Sequence, residues 1–291
     1  MLPINSLDKH IVPELEKPIR LSDYAVGIFI SLSSKSGVKK AIKKGIIKVD
    51  DKLATTALFI SGGETISLLQ EADKKQIVKF PLEVLYEDNY LAIINKPAGI
   101  LVSGNKHKTI ANALSYNLEK SSEPDSLITP LAAHRLDFPT SGLLIIAKTN
   151  STLIKLSEMF EQKQISKTYY AVTIGQMQQQ GRIISPIDQK YSETKFEVLE
   201  TQSSPRFGFL NLVKLTPATG RRHQLRKHLS EIGNPILGDK EYGKDGLILN
   251  GKGLYLHASV LEFSHPITSQ TISVKKGLLS KFTKIFSKYT F

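Results

Sequence analysis

Three stretches of this chain hold side chains able to do chemistry. The first is Ala132-Ala133-His134-Arg135-Leu136-Asp137-Phe138-Pro139-Thr140-Ser141-Gly142-Leu143-Leu144-Ile145-Ile146-Ala147-Lys148. Asp137 is flanked by His134 and Arg135 and followed by a Pro-Thr-Ser-Gly turn. The apolar run 143–147 then reads as a buried strand. A charged carboxylate beside such a strand is costly unless it is paired or used; the alternative is a loop aspartate that caps its own turn. The second stretch, Ser166-Lys167-Thr168-Tyr169-Tyr170-Ala171-Val172-Thr173-Ile174-Gly175, is rich in strand formers, so Tyr169 and Tyr170 face opposite sides. Tyrosine in such a strand is most often core. The third, 215–229, is basic and holds Arg222 and Arg226 four residues apart, on one face if the stretch is helical. A planar guanidinium suits a carboxylate in a confined pocket; the alternative is a solvated basic surface. His134, His223, His228 and His257 lack the spacing of a helical pair of metal ligands, so no metal site is expected.

The surrounding pattern supplies elements to hold these groups. Residues 1–19 carry three prolines and no periodicity and read as an extended lead-in. A helical pattern starts at Ile19-Arg20-Leu21, and a second spans 36–45, with Ser36 placed to cap it and Gly45 where a helix commonly ends. Val38, Ala41 and Ile42 share one face of it, while Lys39, Lys40, Lys43 and Lys44 cover much of the rest. A strand at 46–49, a turn at Asp50-Asp51-Lys52 and a turn and strand at 62–68 close this part. Lys35, Lys39, Lys40, Lys43, Lys44, Lys48 and Lys52 are opposed only by Asp50 and Asp51. Such a face is commonly just solvated, and phosphate contact is the other reading.

The charged stretch 71–79 reads as a linker, and 80–99 as two strands around the acidic turn Glu87-Asp88-Asn89. Residues 109–118 and 150–160 are expected to be helical, 120–125 a polar loop and 176–181 a polar turn. In the tail 275–291, Leu278, Leu279, Phe282, Ile285, Phe286 and Tyr289 fall at helical spacing, an amphipathic segment expected to pack on the main domain.

His-Arg-Leu-Asp at 134–137 followed by Thr-Ser-Gly-Leu at 140–143 resembles the signature of the RluA-type pseudouridine synthases. The segment 166–175 is similar to that family's Lys-x-Tyr-x-Ala motif, and 219–228 to its Thr-Gly-Arg-x-His-Gln-Leu-Arg-x-His motif. Gly233-Asn234-Pro235-Ile236, Gly238-Asp239 and Tyr242-Gly243 resemble the block that follows, and Asn95-Lys96-Pro97-Ala98-Gly99 the start of its catalytic domain. The resemblance implies Asp137 as the nucleophile on a target uridine, Tyr169 packing against its base, and Arg226 pairing with the aspartate. It implies Arg135 in the space vacated by an extruded base, with His134 and Arg222 among the RNA-contacting residues. Lys96 is given no catalytic role. Arg20-Leu21, Ser34-Lys35-Ser36, Gly45, Val49, Lys52 and Gly63-Glu64 resemble the alpha-L RNA-binding module, which departs here at Asp50-Asp51 and Gly62-Gly63. That resemblance makes Lys35, Lys39, Lys40, Lys43 and Lys44 the RNA-contacting face.

The implied architecture is α+β: a mixed, largely antiparallel sheet carries the cleft, and a small α/β RNA-binding module precedes it. The expected domains are an extension at 1–19, the module at 20–70, the linker at 71–79 and the catalytic domain at 80–291. The implied reaction isomerises uridine to pseudouridine in ribosomal or transfer RNA without a cofactor. A non-catalytic RNA-binding protein of the same fold is the alternative. Composition agrees with a polyanionic partner: the 291 residues carry a net charge of +12. A 41% hydrophobic content supports a core, and the absence of cysteine excludes disulfides and thiolate metal sites. No secretory signal or run of ~20 apolar residues is visible, so a cytoplasmic monomer that binds no membrane is expected.

Overall fold

The computed structural model describes residues 6–29, 32–69 and 77–289 and separates into two compact units, 1–75 and 76–291. In the expected linker, 71–76 lie outside the described residues, as do 1–5 of the lead-in, Gln70, Thr290 and Phe291.

The first unit runs β1 (Ser6–Ile11), β2 (Ile19–Arg20), α1 (Leu21–Tyr24), α2 (Lys35–Lys43), β3 (Ile47–Val49), β4 (Lys52–Leu53), β5 (Phe59–Ile60) and β6 (Thr65–Leu69). Its four-stranded sheet has the order β1-β6-β3-β4. The lead-in therefore differs from expectation: residues 6–11 pair antiparallel with β6 and belong to the sheet. The helix cap also differs. Ser34, not Ser36, stands in extended conformation before α2, and its hydroxyl accepts from the Gly37 N–H. Ser36 is already helical. Val38, Ala41 and Ile42 are buried with Leu21, Ile47, Ile60 and Ile66, which leaves the lysine face of α2 in solvent. Asp50 and Asp51 both take left-handed φ, 47° and 62°, in the two-residue turn joining β3 to β4. That is the twist a tight hairpin needs, and aspartate tolerates it where most residues do not.

The second unit runs β7 (Glu83–Glu87), β8 (Leu91–Lys96), α3 (Ile110–Asn117), β9 (Ser126–Ala132), β10 (Ser141–Thr149), α4 (Asn150–Glu161), β11 (Ser166–Ile174), β12 (Gln180–Ile184), β13 (Glu193–Ser204), β14 (Gly208–Pro217), α5 (Gln224–Glu231), β15 (Leu256–Ser264), β16 (Thr271–Lys275) and α6 (Ser280–Thr283). Among the described residues one ten-stranded sheet carries them, in the order β12-β13-β14-β11-β15-β10-β8-β7, with β9 beside β10 and β16 beside β15. Every pairing is antiparallel except β10 with β15. The run 143–147 is apolar throughout because both faces of β10 are covered. Leu144 and Ile146 pack with Ile110 and Leu114 of α3, and Leu143 and Ile145 with Leu156 of α4.

The tail is not the expected continuous helix. Only α6 is helical, but Phe282 and Phe286 are completely buried, so the apolar spacing serves packing as expected. No described helix is long and apolar enough to cross a membrane.

The parallel pairing is two residues long, Ser141 with His257 and Gly142 with Ala258. Gly142 has φ +118°, and a Cβ there would stand 2.1 Å from the Ala258 carbonyl oxygen. Beside it, Ser141 Oγ lies 2.9 Å from Nδ1 of His257, whose buried ring is held neutral down to about 4 by burial and by the nearby Lys276 and Lys281 charges. Gly142→Ala is expected to destabilise the protein by about 3 kcal/mol or more, read from urea unfolding. His257 also predicts an acid dependence. Below about 6.5 an unfolded chain binds a proton that the folded ring refuses until about 4. Stability should therefore fall as pH drops from about 6.5 to about 4, by on the order of 3 kcal/mol from this ring, and His257→Asn should flatten the fall.

Candidate active site

Asp137 lies in the turn that enters β10. Its carbonyl accepts from the Thr140 N–H at 3.1 Å, and the next carbonyl, of Phe138, accepts from the Gly99 N–H at 2.8 Å. The second contact ties the Asp137 loop to the turn after β8. Lys96 supports the same junction from below. It is fully buried, and its Nζ donates to the carbonyls of Pro97 and Ile100, each at 2.9 Å. Burial pulls its ammonium down to about 8, partly countered by the charge of Asp137. Lys96 thus acts through the backbone that carries Asp137.

Tyr169 comes from β11, where the pairing with β15 shifts register between Thr168 and Tyr169. An extra residue on a partner strand re-aims the neighbouring side chains, and here the shift falls at the cleft. Burial pushes the Tyr169 phenol up, and the Asp137 charge pushes it further, so it keeps its proton across the physiological range.

Arg226 is in the first turn of α5, 4% exposed. Its expected partner is not its closest one. Nε and Nη2 form a two-point bond to the fully buried Asp239 carboxylate, both at 2.7 Å, and Nη2 also reaches Glu241 at 3.1 Å. Nη1 is left facing Asp137 at 4.0 Å. Burial opposes the charge of Asp239, but the Arg226 bonds and the N–H groups of Tyr242 and Glu241 outweigh it and hold its carboxyl below the usual range. The other nitrogen near Asp137 belongs to His223, whose Nε2 is 3.7 Å from Oδ1. Among the described residues neither Asp137 carboxylate oxygen accepts a hydrogen bond, so the group lies beside the Arg226 guanidinium and the His223 ring yet is open.

Asp137, Tyr169 and Arg226 line one cleft of about 940 Å³. Arg135 and Arg222 line it too, both exposed. Arg222 does not share a helix face with Arg226, because α5 starts only at Gln224. The helix starts late because Gln224 is committed to the preceding loop. Its Oε1 accepts from Thr219 Oγ1 and the Arg221 N–H, and its Nε2 donates to the Glu193 carbonyl. His134 also lines the cleft, but its Nε2 accepts the Ile145 N–H of β10 at 3.1 Å. Burial and the Lys167 charge hold that ring down to about 3, so it offers an anion no charge. Lys35, Lys39, Lys40, Lys43 and Lys44 are exposed on α2 of the first unit, with Lys35 ion-paired to Asp23. Among the described residues no cluster of histidine and carboxylate groups could hold a metal ion. Sequence reasoning passed over Asp239, Glu241 and Lys167. The Gly-Asp block was visible, but nothing in it shows that its carboxylate meets an arginine 13 residues earlier.

Residues 90–231 match the RNA pseudouridylate synthase family. The chain is 31% identical over 286 residues to ribosomal large subunit pseudouridine synthase D of Nitrosomonas europaea, covering 90% of this chain and 81% of that one. It is 33% identical over 239 residues to tRNA pseudouridine synthase C of Haemophilus influenzae, covering 72% of this chain and 98% of that one. The fold superposes on human RNA pseudouridylate synthase domain containing 1 with a TM-score of 0.57 at 24% identity, over 72% of this chain and 88% of that one.

The Arg226–Asp239 pair yields a stability prediction. Arg226→Met strands a buried carboxylate and should cost about 3–5 kcal/mol. Adding Asp239→Leu should recover more than half of the loss, read as a double-mutant cycle in urea.

Proposed function

The chain belongs to the RluA-type RNA pseudouridine synthases, and from that premise we propose that Asp137 is the nucleophile that isomerises a uridine held in the cleft. The observation that carries the proposal is the open Asp137 carboxylate, set beside Arg226 and His223 yet free of hydrogen bonds among the described residues. A nucleophile needs a lone pair that no donor has taken. The N1–C1′ bond of the uridine breaks, the uracil rotates, and its C5 is joined to C1′. Every carbon, nitrogen and oxygen of the product comes from the substrate, so the chain's own side chains suffice.

Each neighbour has a part that its surroundings support. Arg226, oriented by Asp239, offers Nη1 to Asp137 and to charge that develops on the base. Tyr169 presents an aromatic wall that keeps its hydrogen, suited to packing on uracil. A uridine in a stack or a pair is out of reach of a carboxylate in such a cleft, so it is extruded. Arg135, exposed beside Asp137, fills the space it leaves. Arg222 at the rim and the lysines of α2 neutralise phosphates, which positions RNA without reading its sequence. His134 holds β10 and acts on RNA only through the shape of the loop. The substrate is ribosomal or transfer RNA, acted on in the cytoplasm by a monomer.

The decisive variant is Asp137→Asn, nearly isosteric but uncharged. Pseudouridine formation should fall by about 10³-fold or more with RNA affinity retained, measured by product mapping and by binding. Turnover near that of the wild type would remove Asp137 from this role, and an inactive wild type that still binds RNA would favour the non-catalytic alternative. Replacing Lys39, Lys40, Lys43 and Lys44 by glutamine should flatten the log–log salt dependence of RNA binding, by a slope of up to about 3. An unchanged slope would make that face a solvated surface.

A further inference from the structure

His223 is built into the site at a conformational cost. Its backbone is left-handed, φ 56° and ψ 24°, a region that asparagine or glycine occupies more easily. It stands at the N-cap of α5, yet its side chain makes no capping bond there. The ring is used elsewhere. Nδ1 is 3.0 Å from the Tyr242 hydroxyl and 3.4 Å from Glu241 Oε1, while Nε2 faces the cleft 3.7 Å from Asp137 Oδ1.

The partners fix the tautomer. Glu241 Oε1 faces Nδ1 at 3.4 Å, and an ionised carboxylate can only accept. The ring proton therefore sits on Nδ1, between the Glu241 carboxylate and the Tyr242 oxygen. Nε2 is left as a bare lone pair in the cleft. A carboxylate behind Nδ1 also stabilises the imidazolium that forms if Nε2 takes up a proton. The charged groups facing the ring are Asp137, Glu241 and, through the same carboxylate, Arg226.

We propose that His223 is the base that removes the C5 proton of the rearranged uracil, an inference that rests on the reading of the cleft as the isomerisation site. When C5 joins C1′, it still carries its hydrogen. The C5–H bond breaks, its electron pair becomes the C5–C6 double bond, the C6–N1 double-bond pair moves onto N1, and the proton forms an N–H bond at Nε2. N1, released from the ribose, takes a proton from water, and the imidazolium returns its own to water.

His223→Asn suits the left-handed backbone and removes the base. Single-turnover formation of pseudouridine at saturating RNA should slow by about 10²-fold or more, with RNA affinity unchanged. RNA carrying 5-deuterouridine should then react more slowly than ordinary RNA, with an isotope effect larger than in the wild type. An unchanged rate would overturn the proposal, and so would a slowed rate without that larger isotope effect, which would leave His223 a purely positioning role. Glu241→Gln, with the imidazole kept, should give the same isotope signature with a smaller loss, and its absence there would overturn the proposal even if His223→Asn failed to fold. Activity surviving in Asp137→Asn is a separate failure, of the nucleophile assignment, and leaves the isotope comparison to decide on His223.

Discussion

The buried ion pair between Arg226 and Asp239 is the interaction on which the site depends. Burying one charge in a protein interior is costly, and the two-point geometry at 2.7 Å makes this pair tolerable. Two of the guanidinium's nitrogens are spent on Asp239, which fixes the direction of the third toward Asp137. The same short segment that supplies Asp239 supplies Glu241 and Tyr242, so one loop sets the orientation of both Arg226 and His223. Gly243 keeps this loop tight: a Cβ there would meet the Asp239 carbonyl oxygen at 2.2 Å. One acidic loop thus aims two basic groups at a single carboxylate.

The sequence was most legible where one local rule decided the outcome. The run 143–147 reads directly as a strand, because covering both faces demands continuous apolar side chains. Gly45 ends α2 as its type suggests, with φ 71°. Sequence reading failed where distant partners decide. β9 was overlooked because its burial is intermittent and it contains Pro130, yet it pairs with β10 at Ile146, Ala147 and Thr149, beyond the two residues that pair with β15. Arg222 was misplaced because four-residue spacing assumes a helix, and the side chain of Gln224 delays that helix. The tail showed helical spacing, but the need to seat Phe282 and Phe286 in the core is met by one short turn of helix and a turn beyond it.

The candidate residues were legible as a set, while their division of labour was not. Arg226 was read as the partner of Asp137 and is foremost the partner of Asp239. His134, adjacent to the motif aspartate, turns out to hold a backbone N–H. His223, ordinary in the sequence, lies closer to Asp137 than Arg226 does. Spacing along the chain reports which residues share an element, and says little about which elements meet across the cleft.

The two-residue parallel pairing of β10 with β15 has a consequence for folding. On one side of it stand β7 to β10, on the other β11 to β16, each half knit by antiparallel pairings within itself. The seam joins residues 116 positions apart in the chain, a long loop to close for so few bonds. Non-local closures of that kind are the slow events of folding. Asp137 belongs to the first half, and Tyr169, His223, Arg226 and Asp239 to the second. Neither half alone brings these side chains together, so the cleft comes into being only as the seam closes, and its first appearance during refolding marks the joining of the two halves.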